Sequence, residues 1–117
     1  MASDDLMVLQ KVQDMMIYGY PILARFPKVE KFSLAAAIRN NIDELLELTI
    51  AAEKRYMKKT TLENMDIANE KLKKYLRVAM ELKYISFHSY EVWTAKQVEI
   101  GKMIGGLIKS VNDRSKS

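Results

Sequence analysis

Four long stretches of this chain repeat apolar residues at helical spacing, and the links between them are only a few residues long. That pairing constrains the fold more than any other feature. Amphipathic helices joined by short links have to bury their stripes against their sequence neighbours. In the first stretch, about 6–25, Leu9, Val12, Met16, Gly19 and Leu23 step alternately by three and four. Pro21 inside it removes one ladder hydrogen bond and should bend it near Gly19 and Tyr20. Phe26-Pro27-Lys28 then ends it, because a residue before proline is pushed out of the helical region.

The second stretch, about 32–57, carries Leu34, Ile38, Ile42, Leu45, Thr49, Ala52 and Tyr56, with Ser33 placed as an N-cap. The third, about 61–84, opens with Thr60-Thr61-Leu62-Glu63 in capping-box order. Its stripe is Leu62, Met65, Asn69, Leu72, Leu76 and Ala79, and a polar Asn69 in a seam can fix register. The fourth, about 87–111, follows Ser86 as cap. Its face of Tyr90, Trp93, Ile100, Met103, Ile104, Leu107 and Ile108 is wider than one intramolecular seam requires. The polar tail 112–117 reads as frayed. No stretch alternates as a strand would. The reading is all-α: an antiparallel up-down-up-down four-helix bundle forming a single domain over 1–117. A chain of 117 residues is long enough to bury a core without a metal or disulfide staple.

Three of the four glycines fall in Glu99-Ile100-Gly101-Lys102-Met103-Ile104-Gly105-Gly106-Leu107-Ile108-Lys109. Gly101 and Gly105 are four apart and share a helix face. A glycine inside a helix costs about 1 kcal/mol relative to alanine, so close approach of another helix is the natural offset. The glycines alone leave two readings open, tight packing inside the bundle or a subunit interface. Gly101, Gly105, Gly106, Leu107 and Trp93 form the candidate packing and oligomer set, and Gly105→Leu is expected to disrupt folding or assembly.

Several classes of chemistry find no residues to carry them. There is no cysteine, and His88 is the only histidine. Thiol catalysis and thiolate metal sites are thereby removed, and a zinc site has too few ligands. Glu44, Glu47, Glu70 and Glu99 lack the histidine three residues on that di-iron bundles use. The glycines lie inside a helix and not after a strand, so they form no nucleotide cradle. The expectation is a protein that is no enzyme and takes no cofactor and no metal. No apolar run approaches the roughly 20 residues of a membrane span, and Met-Ala-Ser-Asp-Asp has no signal pattern. A cytoplasmic protein without a membrane partner is the default expectation.

What remains is basic. The net charge is +4. Lys71, Lys73, Lys74 and Arg77 crowd one and a half turns of the third stretch, with Lys73 and Arg77 four apart on one face. Tyr75 sits among them, and an aromatic ring among bases can stack on an unpaired nucleobase. The alternative is a solvated face on which Glu70 pairs with Lys74. Lys54, Arg55, Lys58 and Lys59 form a second cluster, part of which suits the negative end of the helix dipole without any partner.

Leu-Lys-Lys-Tyr-Leu-Arg-Val-Ala at 72–79, Leu-Lys-Tyr-Ile-Ser at 82–86, Tyr90 and the glycine-bearing stretch at 99–109 resemble a known family. They are similar to the accessory variability determinant of diversity-generating retroelements and to its four-helix-bundle cousins encoded in intervening sequences of bacterial 23S ribosomal RNA genes. Tyr20-Pro21 and Phe26-Pro27-Lys28 match as well, so the resemblance covers about residues 9–110. Leu107 departs from it, since the family usually has tryptophan after the two glycines. The resemblance implies a barrel-like homopentamer that is not a catalyst. It implies binding to the element's reverse transcriptase and template-repeat RNA, in support of mutagenic cDNA synthesis. It also implies that Lys73 and Arg77 are the family's basic residues on this helix. Membership in the ribosomal-gene branch would instead imply a scaffold oligomer with no reverse-transcriptase partner.

Overall fold

The computed structural model describes residues 3–55 and 58–116. Four helices are present: α1 (Ser3–Ala24), α2 (Leu34–Lys54), α3 (Lys59–Glu81) and α4 (Phe87–Lys116). A single 3-10 turn, Lys28–Glu30, lies between α1 and α2. There is no strand among the described residues. The helices pack in a ring, with α1 against α2 and α4, and α3 against α2 and α4. The resulting four-helix bundle is a rod of 52 × 22 × 19 Å.

This ring explains the wide apolar face of α4. Trp93, Ile100, Ile104 and Leu107 are buried within the one chain, and Tyr90, Met103, Ile108 and Val111 pack partly against the same core. A helix with two neighbours needs two seams, so the width needs no second subunit. The same reason shifts the stripe of α1. Val8, Val12, Met15, Ile22 and Leu23 are buried, whereas Leu9 and Met16 are only half-buried. In α3 every residue of the expected stripe is buried, from Leu62 to Ala79. Tyr56, placed in the α2 stripe by its spacing, lies outside the described residues.

Trp93 is fully buried at the centre, edge-on to Tyr18 with ring centroids 6.3 Å apart. The glycine that makes room for it is Gly19 of α1. A Cβ there would stand 2.3 Å from Trp93 Cζ2 and 2.6 Å from Cη2. Closest approach therefore happens on α1, not at the 99–109 glycines. Gly101 comes near only Asn69 Nδ2, at 3.1 Å from where its Cβ would be, and nothing lies within 4 Å of Gly105 or Gly106. Within the chain a Cβ at Gly105 meets no obstacle, so the close packing expected to make Gly105→Leu disruptive is not found at that Cβ inside one protomer.

Asn69 fixes the register of α3 against α4. Its Nδ2 donates to the Gln97 carbonyl at 3.0 Å, and Gln97 Nε2 donates back to the Asn69 carbonyl at 3.3 Å. On the other side Asn41 Nδ2 donates to the Ala68 carbonyl at 2.9 Å, tying α2 to α3. Such bonds act between fixed turns, and sliding by one residue would break both partners.

The helix ends differ from their sequence signals. Ser33 gives α2 no side-chain cap, because its hydroxyl donates to Glu30. The capping-box order at Thr60–Glu63 is not used either. The chain enters α3 extended at Lys58, and the Leu62 amide already donates to the Lys58 carbonyl at 3.2 Å. Ser86 does cap α4, its Oγ accepting from the Ser89 amide at 3.0 Å. α3 ends in a left-handed turn at Lys83, φ 66°. There the Tyr84 amide reaches back to the Ala79 carbonyl and the Lys83 amide to Met80, both at 2.9 Å, which is the Schellman pattern. α4 carries on through the polar 112–116, where no glycine or proline stops it.

Candidate nucleic-acid interface

α3 presents its bases outward because its buried stripe occupies the opposite side. Lys71, Lys73, Lys74 and Arg77 are all exposed. They do not form one patch. Residues two apart on a helix point about 160° away from each other, so Lys71 and Lys73 stand at opposite edges of the exposed half. The polar bonds tell which edge is which. Asn69 faces α4 through Gln97, and Lys73 and Arg77 follow it on that side. Ala68 faces α2 through Asn41, and Lys71 and Tyr75 follow on that side.

The two edges differ in their local partners. Arg77 Nε lies 3.4 Å from Glu81 Oε1, an exposed ion pair, while Lys73 has no ion-pair partner among the described residues. Lys74 Nζ meets Glu70 Oε2 at 3.2 Å, as the spacing suggested, and Lys71 Nζ stands 5.8 Å from the centroid of the half-buried Tyr75 ring. Exposed pairs of this kind contribute about 0–1 kcal/mol. A phosphate can displace the carboxylate at little cost, and Arg77 can then grip it with two donors.

The cluster of Lys54, Arg55, Lys58 and Lys59 is exposed at the junction of α2 and α3. It lies about 21 Å of helix away from Lys73 at 1.5 Å per residue. The structure therefore does not bring it together with Lys73 and Arg77.

The glycines share the α3/α4 groove with the basic pair but not the same part of it. Gly101 and Gly105 follow Gln97 on the α3 side of α4, but they run away from the 82–86 connection while Lys73 and Arg77 run toward it, so the glycines and the basic pair lie in opposite halves of the α3/α4 groove. Gly106 is on the other shoulder, where it and Leu107 line a cavity of about 250 Å³ with Met7 and Met103. Trp93 is sealed in the core and touches neither groove.

A further polar feature closes one end of the bundle. Glu30 of the 3-10 turn accepts from Ser33 and, at 2.7 Å, from the Tyr84 hydroxyl. The hydrogen bonds from Ser33 and Tyr84 hold the Glu30 carboxyl below its usual range, and the bond to Glu30 pushes the Tyr84 phenol above its own. No sequence signal joins residues 54 positions apart, so this contact was not legible beforehand. Among the described residues no group of three or more acidic, histidine or cysteine side chains could hold a metal ion. No helix there is long and apolar enough to cross a membrane.

Comparison with known proteins gives one family. A family model described as bAvd-like matches residues 6–111, which takes in all four helices. No curated protein matches the chain.

Proposed function

This chain belongs to the bAvd-like family, and on that premise we propose that it is a non-catalytic accessory subunit of a diversity-generating retroelement. It binds the element's reverse transcriptase and template RNA in the cytoplasm and supports mutagenic cDNA synthesis. The observation that carries the reading is the family match across residues 6–111. The exposed bases of α3 agree with it.

The subunit is read as an antiparallel up-down-up-down bundle that assembles into a barrel-like homopentamer. The unfilled surface at Gly105 and Gly106 supports close approach of another copy. Five copies multiply the +4 of each chain to +20, enough to steer a polyanion. Lys73 and Arg77 hold phosphates at the α3/α4 groove. With positioning contacts and no base-reading set, binding is tolerant of sequence.

The test is reconstitution with the reverse transcriptase encoded beside the gene and its template RNA. A complex of all three, formed by wild type and weakened by Lys73→Ala with Arg77→Ala, supports the role. A chain that assembles but captures neither partner would be the scaffold type. Light scattering at the 13.5 kDa monomer mass would remove the oligomer.

A further inference from the structure

The latched end of the bundle carries apolar side chains that the fold does not use. Phe32 is 95% exposed and Val29 82%, both on the turn between α1 and α2. Phe87 is 62% exposed and Leu82 50%, both at the connection from α3 to α4. The Tyr84–Glu30 hydrogen bond and the Phe26–Tyr84 ring contact, centroids 5.4 Å apart, hold these two turns together at one end. Lys28, Lys31 and Lys83 stand exposed on the same turns, without an ion-pair partner among the described residues. The end is thus cationic and aromatic, and it is remote in structure from the α3/α4 groove's glycines.

We propose that this end is a platform for unpaired bases of single-stranded RNA, with Phe32 and Phe87 as stacking rings and Lys28, Lys31 and Lys83 as phosphate contacts. The inference rests on the nucleic-acid reading above and names the form of the ligand. Aromatic rings set among lysines are the two parts that single-strand recognition combines, since every base has a face to stack and every linkage a charge. Phe87 is backed by Tyr90, with ring centroids 6.2 Å apart and a 33° tilt, which fixes one ring and leaves its outer side open. Glu30, two residues before Phe32, is tied to Ser33 and to Tyr84, which anchors the turn that carries Phe32.

Two other occupants fit less well. A second copy meeting end to end would set three lysines against three lysines. An anionic bilayer would have to accept Glu30, whose hydrogen bonds hold it ionised between the two turns, and burying that charge away from water is costly. A stacked base leaves Glu30 in solvent.

The test uses the full chain and two substitutions together, Phe32→Leu with Phe87→Leu. Leucine keeps the surface apolar and removes only the ring. The probes are a short oligouridylate, an RNA duplex of equal length and phosphatidylserine vesicles. The leucine variant should bind the oligouridylate about tenfold more weakly or worse, since stacking contributes about 1–3 kcal/mol per base. Its duplex binding and melting temperature should stay as in wild type, and Phe32→Tyr with Phe87→Tyr should restore single-strand binding. Equal oligouridylate binding by wild type and the leucine variant overturns the platform alone. Failure of wild type to bind either RNA overturns the nucleic-acid reading as a whole. Co-sedimentation of wild type with the vesicles, without a single-strand defect in the variant, assigns the end to a membrane and overturns the proposal.

Discussion

Gly19→Ala should destabilise the bundle even though alanine is the better helix former. The new methyl would sit 2.3, 2.6 and 2.9 Å from three atoms of the Trp93 indole. Carbon atoms pack comfortably at about 3.5–4.0 Å, so ring and backbone must separate by more than 1 Å. The ring has nowhere to go, because Trp93 is fully buried and braced edge-on by Tyr18. Helix propensity returns about 1 kcal/mol, and overpacking costs about 1–3 kcal/mol, occasionally more. With so direct a clash the upper part of that range applies, and the net loss is about 1–2 kcal/mol. Urea unfolding followed by tryptophan fluorescence reads it, with an unchanged m-value showing that the denatured state is not the cause. The melting temperature should fall by about 4–8 °C per kcal/mol. A variant as stable as wild type would refute the argument that Gly19 exists to admit Trp93.

Gly105→Ala should do the reverse in a dilute monomer, adding about 1 kcal/mol, because nothing lies within 4 Å of its Cβ. A loss of stability that grows with protein concentration would instead show a second copy closing on that glycine. Lys83→Gly should stabilise by about 1 kcal/mol or less, since the left-handed backbone of Lys83 costs a residue with a Cβ about 1–2 kcal/mol and glycine's greater freedom when unfolded takes back part of the gain; an unchanged urea midpoint would contradict this. The Tyr84–Glu30 bond should make stability depend on pH at both extremes. Glu30 titrates lower when folded, so its contribution is present above the ordinary carboxylate range and is lost as pH falls through the lowered value. Tyr84 titrates higher when folded, so its contribution is full below the ordinary phenol range and is lost as pH rises through the raised value. Thermal unfolding across pH should show the alkaline slope lost and the acid slope only partly flattened in Tyr84→Phe, since Ser33 still holds Glu30, and an identical pH profile would exclude the latch.

The helices were legible because each carries a stripe strong enough to survive two neighbours. The α3 stripe from Leu62 to Ala79 is the clearest case, and Asn69 within it does fix register. Spacing reads the α1 stripe as a single coiled-coil seam; Val12, Gly19 and Leu23 are buried as it expects, but Val8 and Met15 are buried in place of Leu9 and Met16 because α1 packs on both α2 and α4. Caps were the least legible. Ser33 and the Thr60 box offer the right side chains, but the chain spends them on Glu30 or inside the helix. The glycines misled for a related reason. Spacing says which glycines share a face, not what stands opposite. A pattern drawing attention to Gly19 was present, since it sits in the seam of a chain with one tryptophan. Of the candidate site, the spacing gave the shared face of Lys73 and Arg77 and the Glu70–Lys74 pair. It could not say that Lys71 and Lys73 stand on different sides of α3, which depends on where α2 and α4 lie.

The most direct measurement is a salt titration of RNA binding by wild type and by Lys73→Ala with Arg77→Ala, with circular dichroism to confirm an unchanged fold. Each phosphate contact releases condensed counterions, so the logarithm of affinity falls with the logarithm of salt by about 0.7–0.9 per contact. Wild type should show a steep fall. The double variant should bind more weakly and its slope should be shallower by about 1.4–1.8, with the helical signal intact because both side chains are exposed. Equal affinities and equal slopes would contradict the account and move the chain to the scaffold class.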